Sequence, residues 1–238
     1  MRELFVDEMK KLHGRFAEMG INVSEQIYRS TTALTDHDEA LAKEVTSGDN
    51  GTNSEEMELE KQALKLIALQ QPVANDFRDI ITILKASSDL ERIGDHAVTI
   101  ARETVRVKNG KQISPIEKKI SLMSENIRTM LSSVLDAYSK NDDKAARQVA
   151  KKDIEIDRLY VEIRDDITKA LAKHPEDAQS GSSYLIIIKM LERIGDHIVN
   201  LAEWIVYNVT GKIVELNPGK ADPELLNNIF SDNLNVVK

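Results

Sequence analysis

One hexapeptide occurs twice in this chain, and no other feature limits its fold so strongly. Glu91-Arg-Ile-Gly-Asp-His96 returns as Glu192-Arg-Ile-Gly-Asp-His197, 101 residues later, and each copy follows a leucine (Leu90, Leu191). A second, collinear match lies upstream. Asp38-Glu-Ala-Leu-Ala-Lys-Glu-Val45 resembles Asp142-Asp-Lys-Ala-Ala-Arg-Gln-Val149, which sets Asp49 against Asp153 at an offset of 104. A long period found at two landmarks marks a duplicated unit. The two units occupy residues 1–110 and 111–212, and residues 213–238 are left as a C-terminal tail.

Each unit has to be helical. Ten glycines and five prolines among 238 residues leave few chain breakers, and 4% aromatic residues give little support to a sandwich or barrel. Hydrophobic period and punctuation then place the helices. In the first unit an amphipathic segment runs from about Glu3 to Ala33. Asp36 and Asp38 are N-cap candidates for a short helix to Thr46. A third helix spans from near Asp49–Ser54 to Gln70, and Pro72 stands just inside a long one ending near Asn109-Gly110. In the second unit Pro115 opens the first helix, Asn141-Asp142 caps a short one, and Asp153 begins the next. His174-Pro175 then breaks the chain before a turn through Ser180–Ser183, and the last helix reaches Thr210-Gly211. The expectation is an all-α protein of two tandem three-helix bundles, with a poorly packed tail from Asn217 onward.

Charge and missing residue types remove several functions. A formal charge of −8 disfavours nucleic acid and free phosphate as direct partners, unless a cation intervenes. The absence of cysteine excludes disulfides, thiolate metal sites and thiol catalysis. The acidic residues of Met1–Lys10 are unlike a signal peptide, and the longest apolar run, Leu185–Ile188, is far too short to span a bilayer. The expected location is the cytoplasm.

The repeated hexapeptide carries carboxylates where a helix should be apolar. With Glu91 at the origin of a helical wheel, Leu84 and Val98 fall about 20° to either side and Asp95 at about 40°. Glu192 and Asp196 repeat the pattern among Leu185 and Val199. An unpaired carboxylate on a buried stripe costs several kcal/mol, so each needs a cation or another partner. Counting outward from the turns sets Asp49 and Asn53 opposite Glu91 and Asp95, and Asp153 and Asp157 opposite Glu192 and Asp196. Four convergent oxygen donors without a thiolate suit magnesium, manganese, iron or zinc. The competing reading is an inter-helix hydrogen-bond network with Arg92 or Arg193 and no metal. The first cluster is the weaker, because Asn53 replaces an acid and Gly51 weakens the helix start. Arg92, Lys85, Arg78, Asp89 and His96 fall on the arc expected to face solvent. His96 and His197, about 140° from the glutamates, are therefore expected to be exposed and structurally neutral. Gly94 and Gly195 sit mid-helix and are expected to permit close helix approach.

Other chemistry is absent. There is no Glu-x-x-His pair for a ferritin-like di-iron site, no phosphate-cradling glycine loop and no nucleophile elbow. Asp49-Asn-Gly-Thr-Asn53 departs from an EF-hand loop at its ligand and glycine positions. No catalytic and no organic cofactor-binding residues are expected.

The segments Leu66-Ile-Ala-Leu-Gln-Gln-Pro-Val-Ala-Asn-Asp76, Asp89-Leu-Glu-Arg-Ile-Gly-Asp-His96 and Leu191-Glu-Arg-Ile-Gly-Asp-His197 resemble the signature of the PhoU family of phosphate-transport accessory proteins. The resemblance implies two three-helix bundles related by a pseudo-twofold, in a cytoplasmic regulator. It implies restraint of high-affinity phosphate uptake and of the phosphate-starvation two-component response when phosphate is plentiful. The implied partners are the phosphate ABC transporter ATPase subunit and a phosphate-sensing histidine kinase, with a homodimer expected. It also implies iron or zinc on acidic pairs, which by position are Glu91/Asp95, Asp153/Asp157 and Glu192/Asp196. Asp49/Asn53 departs from the acidic pattern, and the tail lies outside the resemblance. Two other readings stand beside this one: a carboxylate-cluster metalloenzyme of phosphohydrolase type, and a phosphotransfer bundle using exposed His96 and His197.

Overall fold

A computed structural model describes residues 2–48, 50–108 and 113–217. Among these the chain forms α1 (Arg2–Thr35), α2 (Glu39–Ser47), α3 (Asn50–Gln70), α4 (Ala74–Lys108), α5 (Ser114–Lys140), α6 (Asp143–Lys173) and α7 (Ala178–Thr210). One short 3-10 turn, Pro175–Asp177, precedes α7. No strand occurs among the described residues. The helix ends follow the local chemistry. Asp38 caps α2 by accepting from Leu41 N, and Asp142 caps α6 by accepting from Lys144 N and Ala145 N. Asn141 and Gly211 end α5 and α7 in the left-handed conformation.

Helices α1, α3 and α4, with α2 at one end, make the first bundle, and α5, α6 and α7 the second. The bundles join through α4 against α7 and α1 against α5, the former being the most extensive helix pair in the molecule. Glu103 meets Ser183 at one end of α4 and Asp79 meets Asn208 at the other, so α4 and α7 run antiparallel. One apolar core runs through both bundles, from Leu12, Phe16 and Met19 on α1 to Tyr184, Ile188 and Ile198 on α7.

The structure corrects the expected boundaries in three places. The second unit has no separate short helix, because α6 is continuous from Asp143 to Lys173 and Asp153 lies inside it. Gly48 ends α2 and Gly51 weakens the start of α3, each costing about 1 kcal/mol in a helix, whereas Val149 and Lys152 stand at the matching positions of the second unit. Ser180–Ser183 is not a turn but the first part of α7. Gly181 allows it to sit on α6, since a Cβ there would lie 2.5 Å from Leu171 Cδ2. Pro72 lies ahead of α4 and not within it, between Gln71 and Ala74, which both take positive φ.

Part of the tail also packs. Val214 and Leu216 lie on the core, Leu216 N donates to Glu203 Oε1 at 2.8 Å, and Asn217 Nδ2 donates to Ala150 O at 3.0 Å. Residues 213–217 therefore form a strap across the second bundle. Residues 218–238 lie outside the described residues.

Candidate functional site

In the second bundle, α6 presents Asp153 and Asp157 one turn apart and α7 presents Glu192 and Asp196 one turn apart. Asp153 is fully buried and Asp157 nearly so, while Glu192 and Asp196 are half-buried. Gly195 makes this possible. A Cβ at that position would stand 2.4 Å from Asp153 Oδ1, so the missing side chain is the space that the carboxylate occupies. Lys189 Nζ is 2.6 Å from Glu192 Oε2, and Asn217 Nδ2 lies 3.5 Å from Asp153 Oδ2. No three of these residues bring ligand oxygens within 4.8 Å of one another. The one trio of described residues that does so is His174, Glu176 and Asp177, at the exposed turn before α7. An all-carboxylate donor set, largely withdrawn from water, fits a hard or borderline cation.

The first bundle differs, and its expected register is corrected. Asp49 lies outside the described residues. Asn53 is exposed, and Thr52 stands against Gly94, its Cγ2 at 3.1 Å from the position of a glycine Cβ. Gln26 Nε2 donates to Thr52 Oγ1 at 2.9 Å. Thr52 and Asp153 are 101 residues apart, as Gly94 and Gly195 are, so Thr52 is the counterpart of Asp153. Counting from the turn placed α3 three residues out of register, and one residue of error swings a side chain by about 100°. Glu91 and Asp95 are half-buried on α4, with Arg92 Nε 3.9 Å from Glu91. Glu56, the counterpart of Asp157, accepts from Ser88 Oγ at 2.6 Å.

The histidines overturn their expected place. His96 and His197 are half-buried and lie against each other, ring centroids 5.4 Å apart and planes 36° apart. They occupy the same position in the two hexapeptides, so the pseudo-twofold passes between them. Asp89 and His96, on the arc expected to face solvent, lie instead in the seam between the bundles, while Lys85 and Arg92 on the same arc are exposed as expected. Asp89, with 13% of its side chain exposed, accepts from His197 Nδ1 at 2.8 Å, Asn200 Nδ2 at 3.0 Å and Trp204 Nε1 at 3.3 Å. Further along, His13 Nε2 donates to Asp79 at 2.9 Å and Tyr138 OH donates to His13 Nδ1 at 2.6 Å. The phosphotransfer reading rested on exposed histidines and loses its basis. One signal in the sequence did point to the seam: the same residue stands on the supposed solvent face in both copies.

Burial, helped by His197 and the arginines Arg193 and Arg92, pushes His96 down to about 4, against a partial pull upward from Asp196. Its folded pKa lies below its unfolded value, so between pH 6.5 and about 4 the unfolded chain takes up a proton that the folded chain refuses. That stability is complete above pH 6.5 and is lost as pH falls through this window. In chelator-treated protein, His96→Asn is expected to flatten the decline by about 1–2 kcal/mol, a figure discounted for partial exposure. Urea unfolding of wild type and variant at pH 7 and 4.5 measures it, and identical pH slopes would contradict it.

The comparisons with known proteins bear on this arrangement. The PhoU domain family matches residues 16–104 and 120–205, one stretch on each bundle. The chain belongs to the PhoU family. It is similar to the phosphate-specific transport system accessory protein PhoU homolog of Clostridium acetobutylicum, at 36% identity over 91% of this chain and 99% of that one. The homolog of the same name from Streptococcus pneumoniae is 33% identical, over 91% of this chain and all of its own length. The crystal structure of the phosphate transport system regulatory protein PhoU from Streptococcus pneumoniae superposes with a TM-score of 0.83, at 32% identity over 89% of this chain and 99% of that one. PhoU from Pseudomonas aeruginosa gives 0.83 at 30% identity, over 87% and 100%. The seam between the bundles is thus a contact within one chain.

Proposed function

We propose that this chain is a non-enzymatic negative regulator of high-affinity phosphate uptake and of the phosphate-starvation two-component response. The observation that carries the reading is its likeness, along nearly the full length of both partners, to proteins named as phosphate transport accessory and regulatory proteins. The physical character of the chain supports it. Two bundles share one core and a hydrogen-bonded seam, which makes a stiff body with broad polar helix faces suited to contacting other proteins. No helix among the described residues is long and apolar enough to cross a membrane. In this reading the chain works in the cytoplasm as a homodimer and contacts the phosphate ABC transporter ATPase subunit and a phosphate-sensing histidine kinase. Deleting its gene in phosphate-replete cells is expected to raise phosphate uptake and starvation-gene expression at least several-fold. Uptake and expression equal to those of the parent strain would remove the reading. Co-precipitation with the ATPase and the kinase, at high and low phosphate, tests the partners.

The carboxylates add a metal to this proposal, iron or zinc, with manganese and magnesium as the other candidates. Asp153, Asp157, Glu192 and Asp196 would hold it in the second bundle, and Glu91 and Asp95 in the first. Bound there, a cation would neutralise the acidic side chains and tie α6 to α7. The second bundle is expected to bind more tightly, because Thr52 stands where Asp153 stands in the other repeat and a neutral hydroxyl gives up Coulomb attraction worth on the order of 1–4 kcal/mol. Elemental analysis with metal titration of wild type, Asp157→Asn and Asp95→Asn decides it. Asp157→Asn is expected to lose the tightest-bound metal, and its loss in Asp95→Asn alone would reverse the ranking.

A further inference from the structure

Where the strap crosses α7 it encloses a cavity of about 290 Å³, between α4, α7 and residues 213–214. Its walls are aromatic. Trp204 and Tyr207 lie edge to face, with ring centroids 6.0 Å apart and planes at 89°, so they make two sides of a corner. Asp89 and Glu203 supply carboxylates, Asn200 an amide, and no lysine or arginine lines the space among the described residues. Leu216 N holds Glu203 through Oε1, which fixes the carboxylate at the cavity wall. Trp204 Nε1 does the same for Asp89 Oδ2.

We propose that this cavity binds an organic cation, a guanidinium or alkylammonium group. Aromatic faces attract cations through their quadrupole, and Trp is the strongest of the three common rings. A guanidinium is planar, so it can stack on an indole while it donates to a carboxylate at its edge. Anions are disfavoured by Asp89, Glu203 and the nearby Glu215, so phosphate is not the ligand here. A metal ion is disfavoured too, because ligand oxygens do not converge and half the lining is hydrocarbon. Burial, with Glu215 and Asp89 nearby, holds the Glu203 carboxyl above its usual range, and a cation would relieve the repulsion. The cation has two conceivable sources, a free small amine or a basic side chain offered by another protein.

The chain has a single tryptophan, so any change in its emission comes from Trp204, at the cavity wall. The full chain is titrated with agmatine, with a short arginine-containing peptide, and with the same peptide carrying neutral citrulline in place of arginine. Saturable changes with agmatine or the arginine peptide are expected, at least about tenfold weaker for the citrulline peptide. Glu203→Gln keeps the shape and removes the charge, and is expected to weaken binding about tenfold, with helical circular dichroism unchanged. Agmatine binding as well as the peptide would identify a free amine, and strong preference for the peptide would identify a protein side chain. No saturation by 20 mM, equal response to citrulline, or full binding by folded Glu203→Gln would each overturn the proposal.

Discussion

Asp89→Ala is expected to lower the unfolding free energy by about 3–5 kcal/mol. Asp89 is nearly buried and takes hydrogen bonds from His197, Asn200 and Trp204, all on α7, so its loss orphans three donors in the seam at once. Each orphaned donor keeps its desolvation cost and finds no replacement acceptor in an alanine. Asp89→Asn separates charge from geometry. It retains one acceptor oxygen in nearly the same place and is expected to cost about 1–2 kcal/mol. Urea unfolding followed by circular dichroism measures both variants, since Trp204 emission would report the seam itself. An alanine variant within 1 kcal/mol of wild type would mean that apolar contacts alone hold the bundles together.

Gly195→Ala is expected to destabilise by about 1–3 kcal/mol, even though alanine is the better helix former by about 1 kcal/mol. The added Cβ would stand 2.4 Å from Asp153 Oδ1, and a buried carboxylate has no ready place to go. Gly94→Ala is the control. There the nearest atoms are Gln26 Oε1 at 3.0 Å and Thr52 Cγ2 at 3.1 Å, ends of side chains that can turn by a few tenths of an ångström. The gain in helix propensity then roughly offsets the crowding, and a change within about 1 kcal/mol is expected. Thermal and urea unfolding of the two variants side by side gives the comparison. Equal tolerance at both glycines would show that Asp153 does not depend on the space that Gly195 leaves.

The duplication, the all-helical class and most helix ends were legible because they rest on local chemistry. Asp38 and Asp142 cap helices wherever the rest of the chain goes, and a repeated six-residue word needs no tertiary context. Register was harder to see. Counting from the turn near Pro72 treats a three-residue connection as if it had no geometry of its own, and this put Asp49 where Thr52 belongs. The break in the second unit was overread for the opposite reason. A good N-cap at Asp142 begins a helix but says nothing about its length, which the Gly-free run to Lys173 sets. The seam escaped because a wheel drawn for one helix takes the arc opposite its apolar stripe to face water. Asp89 and His96 are polar, and they meet polar groups of another helix instead. The packing of α4 on α7 shows which groups they meet.

The stacked histidines bear on ancestry. Identical residues facing each other across an axis are what two copies of a single repeat would present if they paired as a two-fold dimer. In such a pair both halves must change together, because one gene encodes both. Fusing them into one polypeptide ends that constraint while the joint, built from His96 and His197, is retained. Thr52 against Gly94 and Asp153 against Gly195 are what the two halves have since made of the same position. Inherited symmetry at the joint and divergence away from it can thus coexist in one molecule, which lets the two halves of a single chain differ.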